Sequence, residues 1–120
     1  ARQLTNVLAS DDPDVATAVR FVREHACDPI RIADVLQAVP LSRSTLEKRF
    51  RDTLGRTIHD EIQRVQVERA KRLLVESGLL VKQVAHRCGF KYVPYLSRVF
   101  RQHTGYSPAE YRRRLKPGYH

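Results

Sequence analysis

A pattern that occurs twice, fifty positions apart, is the feature that most constrains how this 120-residue chain folds. Each copy has a leucine, a phenylalanine four positions later, an arginine directly after it and a glycine four positions further on, from Leu46 to Gly55 and from Leu96 to Gly105. Apolar residues spaced by four lie on one face of a helix, and a glycine after the last turn is typical of a helix end. Two generic helical hairpins would share some of these matches, but the repeat favours two similar helix-turn-helix subdomains.

Helix start and stop signals divide the rest of the chain into short helical segments. Asp12-Pro13-Asp14 is typical of a helix start, and Ser107-Pro108-Ala109-Glu110 combines a capping box with a proline at the first helical position. Thr57 and Asp60 have the same capping-box spacing. No segment alternates with a period of two, so the sequence predicts an all-α fold with seven helices. These helices are expected over about residues 13–27, 32–39, 42–54, 58–77, 80–88, 93–104 and 107–115.

The second helix of each copy has an apolar face and a largely polar or basic face. The apolar residues are Leu46, Phe50 and Leu54 in one copy and Leu96, Val99 and Phe100 in the other. A recognition helix needs this arrangement, because its back packs on the core while its front meets base edges and phosphates. The opposite faces consist of Arg43, Ser44, Glu47, Lys48 and Arg51, and of Val93, Pro94, Ser97, Arg98 and Arg101.

The positive charge of the chain is concentrated towards its C-terminal end. The net charge is +9, and residues 91–120 carry seven basic residues against one acidic residue, whereas residues 1–30 carry three against five. Such asymmetry indicates a polyanionic partner for the C-terminal half. Charge alone leaves nucleic acid, an anionic membrane, an acidic protein and a merely solvated surface open. No apolar run approaches the roughly 18 to 20 residues that a membrane-spanning helix needs.

The fourth predicted helix provides a geometric argument for DNA. About twenty residues at about 1.5 Å each span about 30 Å. Successive major-groove segments on one side of B-DNA lie about 34 Å apart. One chain could therefore place the predicted recognition helices, at about residues 42–54 and 93–104, in successive major-groove segments and read about twenty base pairs.

Other chemistries have little support in the sequence. There is no glycine-rich phosphate loop, no pair of carboxylates in an expected cleft and no nucleophile motif, so the chain is not expected to be an enzyme. The histidines have no ligand spacing, and neither a metal nor a cofactor is predicted. Two cysteines do not make a disulfide framework, which favours a reducing, intracellular context. Cys88 is interpreted as a small buried hydrophobe rather than a redox sensor, whereas Cys27 receives no role.

Three stretches of the second copy carry a family resemblance. They are residues 85–90 (Ala-His-Arg-Cys-Gly-Phe), 95–101 (Tyr-Leu-Ser-Arg-Val-Phe-Arg) and 105–112 (Gly-Tyr-Ser-Pro-Ala-Glu-Tyr-Arg). Together they resemble the C-terminal signature of the AraC/XylS family of bacterial transcription regulators, and residues 41–50 and 70–74 also fit it. The resemblance covers about residues 13–115. Within the family, residues 42–50 are most similar to regulators of xylose operons.

The resemblance implies a domain organisation and a set of partners. Residues 1–12 would end an interdomain linker, 13–56 would form the first helix-turn-helix subdomain, 57–77 a linker helix, 78–116 the second subdomain and 117–120 a tail. An N-terminal domain outside this chain would sense an effector, such as the sugar xylose. The partners would be double-stranded promoter DNA and RNA polymerase, with no membrane. The regulator would act as an activator in the cytoplasm, at the bacterial nucleoid.

The resemblance also assigns roles to individual residues. Lys48 and Arg98 would either donate to guanine or be merely exposed helix cations. Glu47 would either accept from cytosine, or position Lys48 or Arg51 or form a helical ion pair with them. The base-facing set implied by the family is Ser44, Glu47, Lys48, Val93, Pro94, Ser97 and Arg98. The phosphate-contacting set is Arg43, Arg51, Lys91, Arg101 and Arg112.

The second copy departs from the family pattern at the start of its recognition helix. Tyr92 stands where a capping serine or aspartate is common, and Pro94 disfavours a helical conformation at Val93, so a start one residue later is expected. Val93 and Pro94 offer only apolar contact with a thymine methyl group or a sugar, which leaves Arg98 to supply most of the readout. A non-specific architectural DNA-binding protein and a helical protein-interaction module are therefore the alternatives.

Overall fold

The computed structural model describes residues 12–118, in which every regular element is a helix. The all-α fold with seven helices is thereby confirmed for this part of the chain. The predicted linker remnant over residues 1–12 lies outside the described residues except for Asp12, as do the last two residues of the predicted tail. The helices are α1 (Pro13–His25), α2 (Ile32–Leu36), α3 (Arg43–Leu54), α4 (Ile58–Glu76), α5 (Val81–Arg87), α6 (Val93–Thr104) and α7 (Pro108–Leu115).

Side-chain caps start most of these helices where the sequence predicts them. The Ser42 hydroxyl accepts a hydrogen bond from the backbone N–H of Thr45 at the start of α3. Ser107 and Glu110 form the expected capping box at α7, with the Glu110 carboxylate accepting from the Ser107 N–H at 3.0 Å. The hydrogen bond from the Ser107 N–H, and then the interaction with the Ser107 side chain, hold the pKa of Glu110 below its usual value. The caps satisfy N–H groups that have no acceptor within the helix.

Two of the helix boundaries that differ from the sequence prediction lie near a proline. Helix α2 ends at Leu36 rather than near Val39, because Pro40 disfavours a helical conformation in the residue before it. Helix α6 starts at Val93, and the expected later start is wrong. Pro94 occupies the first turn, where the N–H groups have no intrahelical acceptor, so its missing N–H removes no hydrogen bond.

The described chain divides into two compact units, and the first comprises residues 12–26 and 30–62. Its core is formed by fully buried residues of α1 and α3, including Val19, Leu46 and Phe50. A buried carboxylate on α4, Glu61, lies 3.2 Å from Arg23 Nε and 2.8 Å from Arg56 Nε. Because a buried charge is costly unless it is paired, these ion pairs fix the start of α4 against α1 and the segment after α3.

The second unit comprises residues 27–29 and 63–118. Its core collects buried residues from α4, α5, the turn after α5, and α6. The connecting helix α4 is shared, since its first five residues belong to the first unit and the remainder to the second. The buried members of this core are Val67, Ala70, Leu74, Val84, Ala85, Cys88, Phe90, Leu96, Val99 and Phe100.

Candidate nucleic-acid interface

Helix α3 is oriented by its apolar stripe. Leu46 and Phe50 are fully buried in the first unit, which places the other side of the helix in solvent. The residues on that side are those that the sequence singled out. Arg43, Ser44, Lys48 and Arg51 are exposed, and Glu47 is half-buried.

Ion pairs one turn apart hold two of the cations on α3. Arg43 Nε donates to Glu47 Oε2 at 3.2 Å, and Lys48 Nζ donates to Asp52 Oδ2 at 3.0 Å. Glu47 therefore forms a helical ion pair, but with Arg43 rather than with the expected Lys48 or Arg51. Exposed pairs of this kind stabilise a helix by only about 0.3–0.5 kcal/mol, so they orient these side chains without locking them.

Helix α6 is seated in the same way in the second unit. Leu96, Val99 and Phe100 are fully buried, and Phe100 makes an edge contact with the Tyr111 ring at 5.2 Å between centroids. No side chain caps the first turn, because Tyr92 stands at the N-cap position. The uncapped N–H groups at a helix start favour an anion such as phosphate.

The base-facing and phosphate-facing candidates of α6 lie on its outer side. Arg98 is exposed, and its guanidinium lies 5.2 Å from the centroid of the Tyr95 ring. Tyr95 in turn makes an edge contact with the buried Phe90 at 5.2 Å. The aromatic pair therefore positions Arg98 without neutralising its charge. Pro94, Lys91 and Arg101 are exposed, whereas Val93 and Ser97 are half-buried.

Arg112 is placed differently from the expectation. Only 6% of it is exposed. Its Nε donates to the carbonyl oxygen of Leu74 at 3.0 Å and a terminal nitrogen donates to that of Ser77 at 3.4 Å. Lys116 Nζ donates to the carbonyl oxygens of Val75 and Ser77 beside it. The prediction that Arg112 contacts phosphate is therefore corrected, because it satisfies carbonyl groups that the end of α4 leaves without partners.

Two residues that contribute to this surface were missed in the sequence. Asp52 pairs with Lys48, and Tyr95 lies under Arg98. Both are recognisable by spacing, since residues four or three positions apart are neighbours on a helix. Arg113 and Arg114 near the chain end are both exposed, and the guanidinium of Arg114 lies 4.9 Å from the centroid of the Tyr106 ring.

The described residues contain no group of three or more histidine, cysteine, aspartate or glutamate side chains that could hold a metal ion. Over the same part of the chain, no helix is long and apolar enough to cross a membrane.

Comparison with known proteins finds a matching domain family and related transcription regulators. Residues 35–114 match the helix-turn-helix domain family. The chain is 38% identical over 111 residues to the xylose operon regulatory protein of Escherichia coli strain K12. That match covers 92% of this chain but only 28% of the relative.

Two solved structures share the fold at appreciable sequence identity. The xylose-binding transcription activator xylR superimposes with a TM-score of 0.79 and 37% identity, over 90% of this chain and 28% of that chain. The DNA-binding domain of AdpA, a global transcriptional factor solved in complex with a target DNA, superimposes with a TM-score of 0.77 and 34% identity. That match covers 82% of this chain and 88% of the AdpA domain.

Proposed function

The chain belongs to the helix-turn-helix domain family, in its AraC-type branch, and from this membership we propose that it binds duplex DNA sequence-specifically as part of a bacterial transcription regulator. One observation carries the proposal. Two helices at equivalent positions of a repeat, α3 and α6, each bury an apolar stripe and expose a polar or basic one. This is the arrangement by which a recognition helix enters the major groove.

In the first copy, Ser44, Glu47 and Lys48 face the base edges, and Arg43 and Arg51 contact the phosphates. Lys48 donates to guanine O6 and N7 once it leaves or shares its partner Asp52. This assignment is supported by the exposure of Arg43, Ser44, Lys48 and Arg51.

In the second copy, Arg98 supplies most of the sequence readout, because its guanidinium can donate to guanine in a bidentate manner. Val93 and Pro94 contribute apolar contact with a thymine methyl group or a sugar, and Ser97 contributes a hydroxyl. Lys91 and Arg101 contact phosphates beside the uncapped start of α6.

The two recognition helices are proposed to occupy successive major-groove segments. Helix α4, which joins the two copies, has 19 residues, and so a length of about 28 Å, close to one turn of B-DNA. The binding site would then be about two helical turns long.

The relatives that are named as xylose regulators suggest the wider setting. The chain spans only 28% of their length. We propose that effector sensing belongs to residues outside it. We propose a sugar such as xylose as the effector, RNA polymerase as a second partner, and transcription activation at the cytoplasmic nucleoid as the outcome. The relatives are transcription regulators, and a catalytic role is not part of the proposal.

Selection from a randomised duplex library at about 0.15 M salt tests the proposal. Readout by both copies predicts enrichment of one site about two turns long, bound about 10³-fold or more tightly than random DNA. Enrichment of only half such a site would mean that one copy grips the backbone without reading bases.

Flat binding dominated by salt would instead support the architectural alternative, which the exposed Pro94 beside Val93 makes physically reasonable. No binding even at low salt would overturn DNA binding altogether and favour a protein-interaction module. The same selection with an Arg113→Ala variant serves as the control for loss of one positive charge, because Arg113 is an exposed cation outside both recognition helices.

A further inference from the structure

The two cysteines of the chain meet in the second unit, although they are far apart in sequence. Cys27 follows the C-cap of α1 and is partly exposed, whereas Cys88 is the C-cap residue of α5 and is fully buried. Both are free thiols, and each is the strongest influence on the ionisation of the other. Cys27 also packs against the apolar core that contains Cys88.

Close backbone packing holds the two thiols together. Gly89, directly after Cys88, has a φ of +91°, and a Cβ atom at this position would lie 3.1 Å from the carbonyl oxygen of Cys27 and 3.1 Å from Gln66 Nε2. A side chain at this position would therefore be crowded by the backbone of Cys27 as well as strained by the positive φ. Because the turn after α5 rests directly on Cys27, the meeting of the thiols is a consequence of the fold and not of two flexible side chains.

The surroundings of the pair make the two thiols chemically different. The hydrogen bond from Cys88, helped by the positive charges of Arg69 and Arg72, lowers the pKa of Cys27 to about 7, although desolvation and Asp28 act in the opposite direction. The pKa of Cys88 is raised, first because its proton is held by Cys27 and then because it is buried. Near neutral pH, Cys27 therefore has substantial thiolate character while Cys88 keeps its proton.

We propose that Cys27 and Cys88 form a redox-sensitive pair that hydrogen peroxide converts into an intramolecular disulfide. The Cys27 thiolate attacks one peroxide oxygen, the O–O bond breaks, and the other oxygen leaves as hydroxide, which takes up a proton to give water. The sulfenic acid left on Cys27 is then attacked by the sulfur of Cys88, which forms the S–S bond and releases a second water. Two thiols are oxidised by two electrons in total, and one peroxide is reduced to two waters.

The disulfide should affect the second recognition helix, a consequence that rests on the proposed DNA-binding function. An S–S bond of about 2.05 Å with a dihedral angle of about 90° fixes the two side chains relative to each other, so it constrains the two segments that carry them. Gly89 is already packed against the backbone of Cys27, which leaves the turn little room to approach. The strain is therefore expected in residues 88–92, the turn that carries Lys91 and leads into α6.

The chemical step is tested on the full chain by peroxide titration, thiol labelling and peptide mapping. We expect both thiols to be lost together, one cross-linked peptide pair that joins Cys27 to Cys88, and full recovery with dithiothreitol. In Cys88→Ser, Cys27 should accumulate a sulfenic acid that dimedone traps. In folded Cys27→Ser, Cys88 should stay unreactive, because it is buried.

Three results would overturn this step. The first is that both thiols of the wild type stay free under a peroxide treatment that completely oxidises an unstructured cysteine peptide. The others are oxidation of Cys27 without a link to Cys88, and cross-links only between molecules. The wild-type mapping decides the question even if a cysteine variant fails to fold.

The consequence for DNA is tested by comparing the reduced and oxidised chain on the site selected from the library. We expect oxidation to weaken binding about fivefold or more, within the usual range of coupling between two sites, with recovery on reduction. Folded Cys27→Ser should show no response to peroxide. Equal affinity of the reduced and the oxidised wild type would overturn the regulatory consequence. Absence of DNA binding by both forms would overturn it together with the proposed function. In either case, the peptide mapping still decides whether the disulfide forms.

Discussion

The two recognition helices have the same core face but hold their charges differently. Helix α3 contains four basic and two acidic residues, and its cations Arg43 and Lys48 are each paired with a carboxylate one turn away. Helix α6 contains two arginines and no acidic residue. Its Arg98 is oriented by the Tyr95 ring instead of by an anion.

This difference shows that equal positions in a repeat do not imply equal contributions to DNA binding. A cation that is paired in the free protein must give up or share its partner when it reaches a base, and its net gain is correspondingly smaller. A cation stacked on an aromatic ring is held in place with its full charge. We therefore expect the second copy to depend on Arg98 more strongly than the first copy depends on Lys48.

The largest expected effect concerns the shared core face. Phe50→Ala and Phe100→Ala remove equivalent, fully buried rings, and each should lower the free energy of unfolding by about 3–5 kcal/mol. Phe100→Ala should be the more damaging by about 0.5–1.5 kcal/mol, since it also loses the edge contact with Tyr111. Denaturant unfolding followed by circular dichroism measures both. A larger loss for Phe50→Ala would contradict this ranking of the two units.

The next effect concerns the turn that precedes α6. Gly89→Ala should destabilise the chain by about 2–3 kcal/mol, because alanine disfavours a positive φ and its Cβ meets the Cys27 carbonyl. Gly105→Ala is the matched control, with a φ of +83° and open space around it, and should cost about 1 kcal/mol. Thermal unfolding compares the two. If both substitutions had the same cost, the close approach of the turn to Cys27 would not limit stability.

The comparison of the recognition helices is tested directly by Arg98→Ala and Lys48→Ala. Each should weaken binding to the selected site by about 1–3 kcal/mol and relax specificity at the base that it reads. The loss for Arg98 should be the larger, because Lys48 is paired with Asp52. Titration of specific and random duplexes by fluorescence anisotropy provides the measurement.

Arg101→Ala is the control for this comparison, since Arg101 is an exposed cation of α6 assigned to phosphate. It should weaken binding to all sequences alike and reduce the slope of affinity against salt by about one unit. An equal loss on specific and random DNA for Arg98→Ala would contradict its assignment to a base.

The smallest expected effect comes from releasing Lys48. Asp52→Asn removes an exposed ion pair of about 0.3–0.5 kcal/mol, and DNA affinity should rise by about twofold. Glu76→Gln lowers the negative charge equally on α4, outside both recognition helices, and should have less effect. In a background of Lys48→Ala, the gain from Asp52→Asn should shrink to that of the control. A gain of unchanged size would mean that net charge, and not the pair, accounts for it.

Much of the fold could be predicted because its signals are local. Ser42 and Ser107 cap the helices that follow them through hydrogen bonds to backbone N–H groups three residues away, and Gly55 ends α3 with a φ of +76°. The core positions Phe50 and Phe100 follow from helical spacing. The end of α2 and the start of α6 did not follow from local signals, because proline changes the conformation of its neighbours by small amounts that packing can outweigh.

The sequence by itself therefore determined most of the helices, their caps and the two exposed recognition faces, since each depends on residues within a few positions of one another. The family followed from several such short motifs along the chain. Only the tertiary structure decided that Arg112 is buried against the end of α4 and that Cys27 meets Cys88. These contacts join segments far apart in the chain, and they exist because particular helix ends pack together. Spacing within one helix carries no information about such packing, which is set by the shape of the whole core.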